Sequence, residues 1–411
     1  MHVWARGGTF LLALVAVSAS SMSLQEAVRL GLENNPDVRA ARLDTEAAKT
    51  EVKVARNGYY PTLSASAGPR NFGFGDVTYD VTASQMLYDW GRTGGRVDNA
   101  RAVERQAGAD ARARMDDAAL DIVEIYLDLL LSERLISADR RFTDALASVA
   151  EMTEARASGG YSDLAEPERA RLELARARER TAQDEGTQRD LRNQFLLLVG
   201  TPPADLQEPT IHDAQIQQAS ATMDEAVAQA PAYQKSVEDT RIAQARVREA
   251  RASLRPQLNL EANTLRRDLG GRAQSDTMVG LRFRMDTMQG LSSFQRSDAA
   301  RQRLESARWR TGAVEREIRR DVQNMLDQIE LLDARLETLD RQVESSGTLG
   351  GLYQEQFQVG RRDVIDLLNV QRESFEAERQ AATVRIELLR LRYRIGARLG
   401  FLDRLVDGPA A

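Results

Sequence analysis

The chain has 411 residues, no cysteine, two histidines and a formal net charge of −6. Without cysteine it has no disulfide, thiolate metal site, cysteine nucleophile or lipid carried on cysteine. The mixed charge offers no basic tract for nucleic acid, and there is neither a glycine-rich phosphate loop nor a nucleophile elbow. No enzyme, cofactor or metal site is therefore expected, and His212, in a polar stretch, reads as a solvated surface residue.

Arg6, the uncharged apolar run Phe10 to Val17 and the small residues Ser18 to Ser21 read as a secretory signal peptide over 1–22, cleaved near Ala19 to Ser23. That run is too short for a spanning helix, which needs about 20 residues. Later apolar stretches such as Leu127 to Leu131 are soon interrupted by charge. The mature chain thus either stays soluble outside the cytoplasm or enters a membrane as β-structure.

Beyond the signal peptide the chain is a tandem repeat with a period of about two hundred residues. Leu24-Gln25-Glu26-Ala27-Val28 matches Met223-Asp224-Glu225-Ala226-Val227. Pro36 aligns with Pro231, Pro61 with Pro256, Gly160 with Gly360, Asp163 with Asp363 and Val199-Gly200 with Leu399-Gly400. The repeats are 23–200 and 223–400, joined by a linker over 201–222 and followed by a tail over 401–411.

Each repeat predicts a helix, a β-hairpin, a very long helix and a further helix. In the first, Leu24 to Asn57 is helical, and Pro61 to Ala67 and Val77 to Ser84 alternate as strands around a polar, glycine-rich loop, Gly68 to Asp76. No proline interrupts the window from Pro69 to Pro167, so one helix is expected from about Gly91 to Ser158, with another from Asp163 to Val199. In the second repeat, strands are read at Gln257 to Asn263 and Val279 to Met285, a loop at Arg266 to Thr277 and a long helix from about Gly290 to Val359. A helix of that length spans roughly 100 Å, which suits a tunnel or coiled coil, and the shorter helices stacked end to end could run antiparallel beside it.

Alternation also suits an ordinary antiparallel sheet with one wet face. Two hairpins at equivalent repeat positions, each joined to a very long helix, favour transmembrane barrel strands. Four strands cannot close a barrel, since single-chain barrels begin at about 8, and open edges are not tolerated in a bilayer. The fold expected is an α+β membrane protein, with a long antiparallel α-helical tunnel and four strands per chain in a shared barrel. An oligomer is required.

These residues resemble the TolC-type outer-membrane efflux and secretion channel family over nearly the whole mature chain. Leu24 to Val28 through Asn34-Asn35-Pro36 resembles its opening helix, and Tyr60-Pro61-Thr62-Leu63 the start of its first strand. Gln85 to Gly91 resembles its strand-to-helix turn, and Val359 to Asn369 the motif at the tunnel's periplasmic tip. The resemblance implies a homotrimer in the outer membrane of a Gram-negative bacterium, with helices in the periplasm, a periplasmic adaptor and an inner-membrane ABC or other pump as partners, and no nucleic acid. The Tyr88-Asp89-Trp90-Gly91 turn and the missing lipid-anchor cysteine resemble the type I protein secretion branch, with small-molecule or multidrug efflux the alternative.

By the same resemblance Asp163, Ser162, Phe357 and Arg362 would latch the tunnel tip and Asp366 would form an acidic ring. Phe357 stands where a tyrosine is expected and Asn369 where a second aspartate is expected. Asp163 and Asp363 also suit plain helix capping. A periplasmic coiled-coil adaptor or scaffold is the reading from another class, and it would come off the membrane with salt or carbonate.

Overall fold

The computed structural model describes residues 22–69, 77–160, 163–211, 214–269, 272–285 and 292–407. Residues 1–21 of the expected signal peptide, Ser162 and His212 lie outside them.

Helix α1 (Leu24–Asn34) stops where Asn35 takes an extended conformation and its side chain caps α2 (Pro36–Arg56), accepting from the amides of Asp37 and Val38 at 2.9 and 3.1 Å. Pro36 sits at the first helical position, where it has no hydrogen bond to lose. The single helix read from Leu24 to Asn57 is therefore two. A short 3₁₀ turn, Asn57–Tyr59, leads to strands β1 (Thr62–Pro69) and β2 (Val77–Tyr88). Then come α3 (Arg92–Ser158) and α4 (Ala165–Val199).

The second repeat echoes this order. After α5 (Ala214–Ala221) come α6 (Met223–Gln229), α7 (Pro231–Ala252), β3 (Gln257–Leu269), β4 (Arg272–Arg284), α8 (Ser292–Gln358) and α9 (Val364–Leu399), and α10 (Leu402–Asp407) comes last. Both α3 and α8 have 67 residues, or about 100 Å of helix. Gly160 and Gly360 after them have φ of +75° and +71°, the left-handed conformation that ends a helix and disfavours a side chain. The linker 201–222 holds α5, and the tail holds α10.

The four strands form one antiparallel sheet in the order β1-β2-β3-β4. The Arg266 to Thr277 segment, expected to be a loop, is largely paired strand, with Arg266 opposite Ser275 and Leu265 opposite Asp276. Its polarity reads as a turn, but ladder pairing satisfies the backbone whatever the side chains are.

By its internal contacts the chain divides into two units. One comprises Met1–Asn34, Ile122–Ile211 and Thr338–Ile386. Its core joins Leu146 and Val149 of α3, Ala170 and Ala177 of α4, Phe357 of α8 and Val364, Leu367 and Val370 of α9. In the same unit Arg379 reaches Asp139 at 2.5 Å and Asp184 at 2.6 Å, tying α9 to α3 and α4. Burial pushes the Asp139 carboxyl up to about 6, with Asp184 adding to the rise and Arg379 opposing it. The hydroxyl of buried Tyr126 donates to the carbonyls of Met22 (2.9 Å) and Gln207 (2.6 Å), fastening the start of the described chain to the segment after α4. Met22 also bridges Leu206 in parallel.

The other unit comprises Asn35–Asp121, His212–Glu337 and Glu387–Ala411 and carries the sheet. Arg398 pairs there with Asp321 at 2.7 Å, joining α9 to α8. Burial, then the carboxylates of Asp403 and Asp117, push Asp116 up to about 7, with Arg112 opposing. In an unfolded chain that carboxyl titrates near ~3.9, so between these values the folded state holds the extra proton. Asp116 thus costs nothing at low pH, becomes increasingly unfavourable as pH rises from about 4 towards 7, and carries a constant cost above that. Asp116→Asn should raise the unfolding temperature at pH 8, and the gain should shrink towards zero at pH 4, as read by thermal denaturation in detergent.

Candidate membrane sheet and helix-turn site

Among the described residues no helix is long and apolar enough to cross a membrane. The sheet has an unusual polarity instead. Register places Leu63, Ala65, Val81, Ala83, Leu260, Ala262, Val279 and Leu281 on one face, with Leu258, Tyr88 and Phe283 at the end nearest the helices. Leu87 is the extra residue of a bulge between Met86 and Tyr88, which returns Tyr88 to that face.

The opposite face carries Ser64, Asp80, Thr82, Asn259, Glu261, Asn263, Arg282 and Arg284. Its polar groups satisfy one another. Glu261 takes Arg282 at 2.8 Å and Arg284 at 3.2 Å, while Asn263 donates to Asp80 at 2.8 Å and Thr82 at 2.7 Å. Asn259 and Glu261 are 3% and 8% exposed, whereas Leu281 and Phe283 are 63% and 71% exposed. In water this distribution would be unfavourable by about 25 cal/mol for each Å² of apolar surface left wet. Facing hydrocarbon, with the polar face turned to a water-filled lumen, it is the favourable one.

The second site lies in the unit that contains α4, where α3 gives way to α4 and α8 to α9. Arg362 is its hub. The guanidinium lies 4.2 Å over the Tyr353 ring, donates from Nε to Gln356 at 3.0 Å and pairs through Nη1 with Asp366 at 3.1 Å. It braces the end of α8 against the first turn of α9. The exposed Asp363 accepts weakly from the Ile365 amide at 3.5 Å, and its carbonyl takes the Leu367 amide. Asn369 is exposed and accepts from Arg372 at 3.1 Å. Asp163 is exposed, and its carbonyl accepts from the Glu166 amide.

Phe357 is fully buried in the helix core. Its ring is packing, and what it offers a latch is its backbone carbonyl, which accepts from Arg156 of α3 at 3.3 Å. Arg156 also lies 4.5 Å over the ring. Sequence reasoning does not reach Arg156, Tyr353, Gln356 or the Arg171–Glu154 pair of 2.6 Å that ties α4 to α3. The available signal is Arg156 as a cation in the last turn of α3, where it complements the helix dipole.

The sheet and these helix turns have counterparts in known proteins. The chain matches the outer membrane efflux protein family over residues 27–201 and 222–400 and belongs to that family. The two matched stretches repeat the duplication seen in sequence and structure. The chain is thus an outer-membrane protein whose helices lie in the periplasm, and its family and fold are those of transport channels. It is 25% identical to the alkaline protease secretion protein AprF of Pseudomonas aeruginosa over 96% of this chain and 88% of that protein. It is 35% identical to the nickel and cobalt resistance protein CnrC of Cupriavidus metallidurans over 26% of this chain and 25% of that protein. Among solved structures it resembles the outer membrane protein VceC of Vibrio cholerae, with a TM-score of 0.78, 14% identity and 92% and 96% of the two chains covered.

Removing a buried aromatic leaves a cavity that costs roughly 3 to 5 kcal/mol. Phe357→Ala should destabilise the unit around its ring by about that amount, measured as faster amide exchange in α4 and α9 with the sheet's exchange unchanged.

Proposed function

We propose that three copies of this chain close a twelve-stranded barrel and form the outer-membrane exit duct of a type I protein secretion system, working with a periplasmic adaptor and an inner-membrane pump. The observation that carries this reading is the sheet, with an apolar face exposed, a polar face internally satisfied and two outer edges, β1 and β4, without a strand partner among the described residues. A bilayer supplies no water to such edges, so copies must pair edge to edge. The choice of protein secretion rests on the similarity to AprF along almost the whole chain. The shorter match to CnrC favours the second reading, export of small solutes such as metal ions.

The helix turns would serve as the gate. Arg362 holds α8 to α9 through partly exposed contacts, whose ion pair is worth at most about 1 kcal/mol. Docking of a partner is strong enough to overcome that. Leu164 and Val359, both largely exposed at the turns, suit an apolar contact with it. Asp366, repeated by symmetry, would ring the pore and favour cations. Asp163 and Asn369 would stand beside it, and Ser162 is assigned by the sequence resemblance alone.

Two experiments test this. Native mass spectrometry of the detergent-purified protein should give three chains per particle, and restoring export to cells lacking an exit duct should rescue a secreted protease. Rescue of metal resistance alone would move the assignment to solute efflux, and a chain released from membranes by carbonate would leave the scaffold reading. In planar bilayers Arg362→Ser should raise single-channel conductance, and Asp366→Ala should move the reversal potential in a salt gradient towards zero. An unchanged conductance would take Arg362 out of the gate, and an unmoved reversal potential would return Asp366 to helix capping.

A further inference from the structure

At the helix-side end of the sheet's apolar face stands an arrangement that channel function does not use. Tyr88 ends β2 opposite Leu258, and Leu258 pairs with Phe283, so all three lie where the lipid-facing surface meets the periplasm. Trp90 packs edge-on against Tyr88, with ring centroids 4.9 Å apart. Its backbone has φ of +58°, the only positive value at a non-glycine residue among the described residues. A bulky side chain there is strained, and glycine would make the turn more easily. The strain is held from both sides. Asp89 accepts from the amides of Gly91 at 3.0 Å and Thr93 at 2.6 Å, and the indole Nε1 donates to the carbonyl of Pro256 at 2.9 Å.

Over the indole, 4.7 Å from its centroid, lies the guanidinium of Arg255. Arg255 is exposed, and among the described residues this stack is its only side-chain interaction. One turn back, Arg251 is exposed in the last turn of α7, with no carboxylate partner among the described residues. The nearby acids are engaged elsewhere: Asp89 caps α3, Glu249 takes Arg96 at 2.8 Å and Asp98 takes Arg248 at 2.8 Å. Two uncompensated cations and an aromatic pair thus stand at the lipid boundary. Tyrosine and tryptophan favour that depth, because one end of each ring system is apolar and the other wet. Guanidinium offers a planar fork of donors that matches two phosphate oxygens.

We propose that Arg255, Arg251, Trp90 and Tyr88 form a headgroup site for an anionic glycerophospholipid of the periplasmic leaflet. Arg255 binds the phosphodiester while stacked on Trp90 and is the main source of selectivity for net negative charge, Arg251 adds to that selectivity, and the acyl chains lie along Tyr88, Leu258 and Phe283. The headgroup residues lie beside the ends of the central strands β2 and β3, and only the acyl chains reach Phe283 on β4, so one copy carries every charged group of the site. The inference rests on the outer-membrane assignment but not on what the channel exports.

The test uses the oligomer reconstituted in vesicles of phosphatidylcholine with increasing dibrominated phosphatidylglycerol or dibrominated phosphatidylcholine, reading tryptophan quenching in a Trp309→Phe background. Phosphatidylglycerol should quench at a mole fraction about fivefold lower than phosphatidylcholine, the factor expected of one arginine at a membrane surface. Arg255→Gln should abolish that preference, and Arg251→Gln should reduce it, with the SDS-resistant oligomer and its conductance unchanged. Equal quenching by the two lipids, or a preference surviving in Arg255→Gln, would overturn the site. So would its loss on adding inorganic phosphate, which would mark a general anion site. Absence of conductance in the parent protein would instead count against the channel assignment.

Discussion

A β-strand exposes a row of amides and carbonyls along its edge, and hydrocarbon has nothing to offer them. That constraint governs this chain more than any side-chain contact. The sheet ends on β1 at one side and β4 at the other, and its apolar residues point where a soluble sheet would place polar ones. Placed in water, the sheet wets Leu281 and Phe283; placed alone in lipid, it leaves two ladders open. The proposed pairing with further copies would satisfy both demands. The long helices are the complement of that anchoring, because a chain held by strands at one end of α3 and α8 carries about 100 Å of helix on each.

Much of this is legible in the sequence because it rests on periodicity. Strand alternation, the proline-free windows and the duplicated landmarks each report a backbone property directly, and α3, α4, β1, β2 and α8 fall close to where these signals put them. Two boundaries escape them for a common reason. Asn35-Pro36 reads as the inside of a helix although asparagine before proline is a strong cap, and Arg266 to Thr277 reads as a loop from polarity although it pairs as strand. Polarity reports solvent, whereas pairing depends on a partner strand that a single segment does not reveal.

The helix-turn site is legible only as residue types. Arg362 and Asp366 are four apart, so their pairing follows from helix geometry. Tyr353 and Gln356 are on the preceding helix, and Arg156 meets Phe357 across 201 residues of chain. Contacts of that kind depend on how helices cross, which composition does not encode. Phe357 shows the difference most clearly. As one residue in a motif it reads as a latch lacking its hydroxyl, but in the packed core it is a buried ring whose carbonyl is the part within reach of a cation.

The knot of hydrogen bonds around Tyr126 bears on the order in which the chain is assembled. In a chain that emerges from its amino end α1 comes early, yet Met22 just before it is seated by Tyr126 and residues 205–207, and α1 itself packs on α4. The opening helix must therefore wait, unpaired, until about half the polypeptide has emerged. Its apolar stripe of Leu24, Ala27 and Val28 stays open to other surfaces throughout that interval.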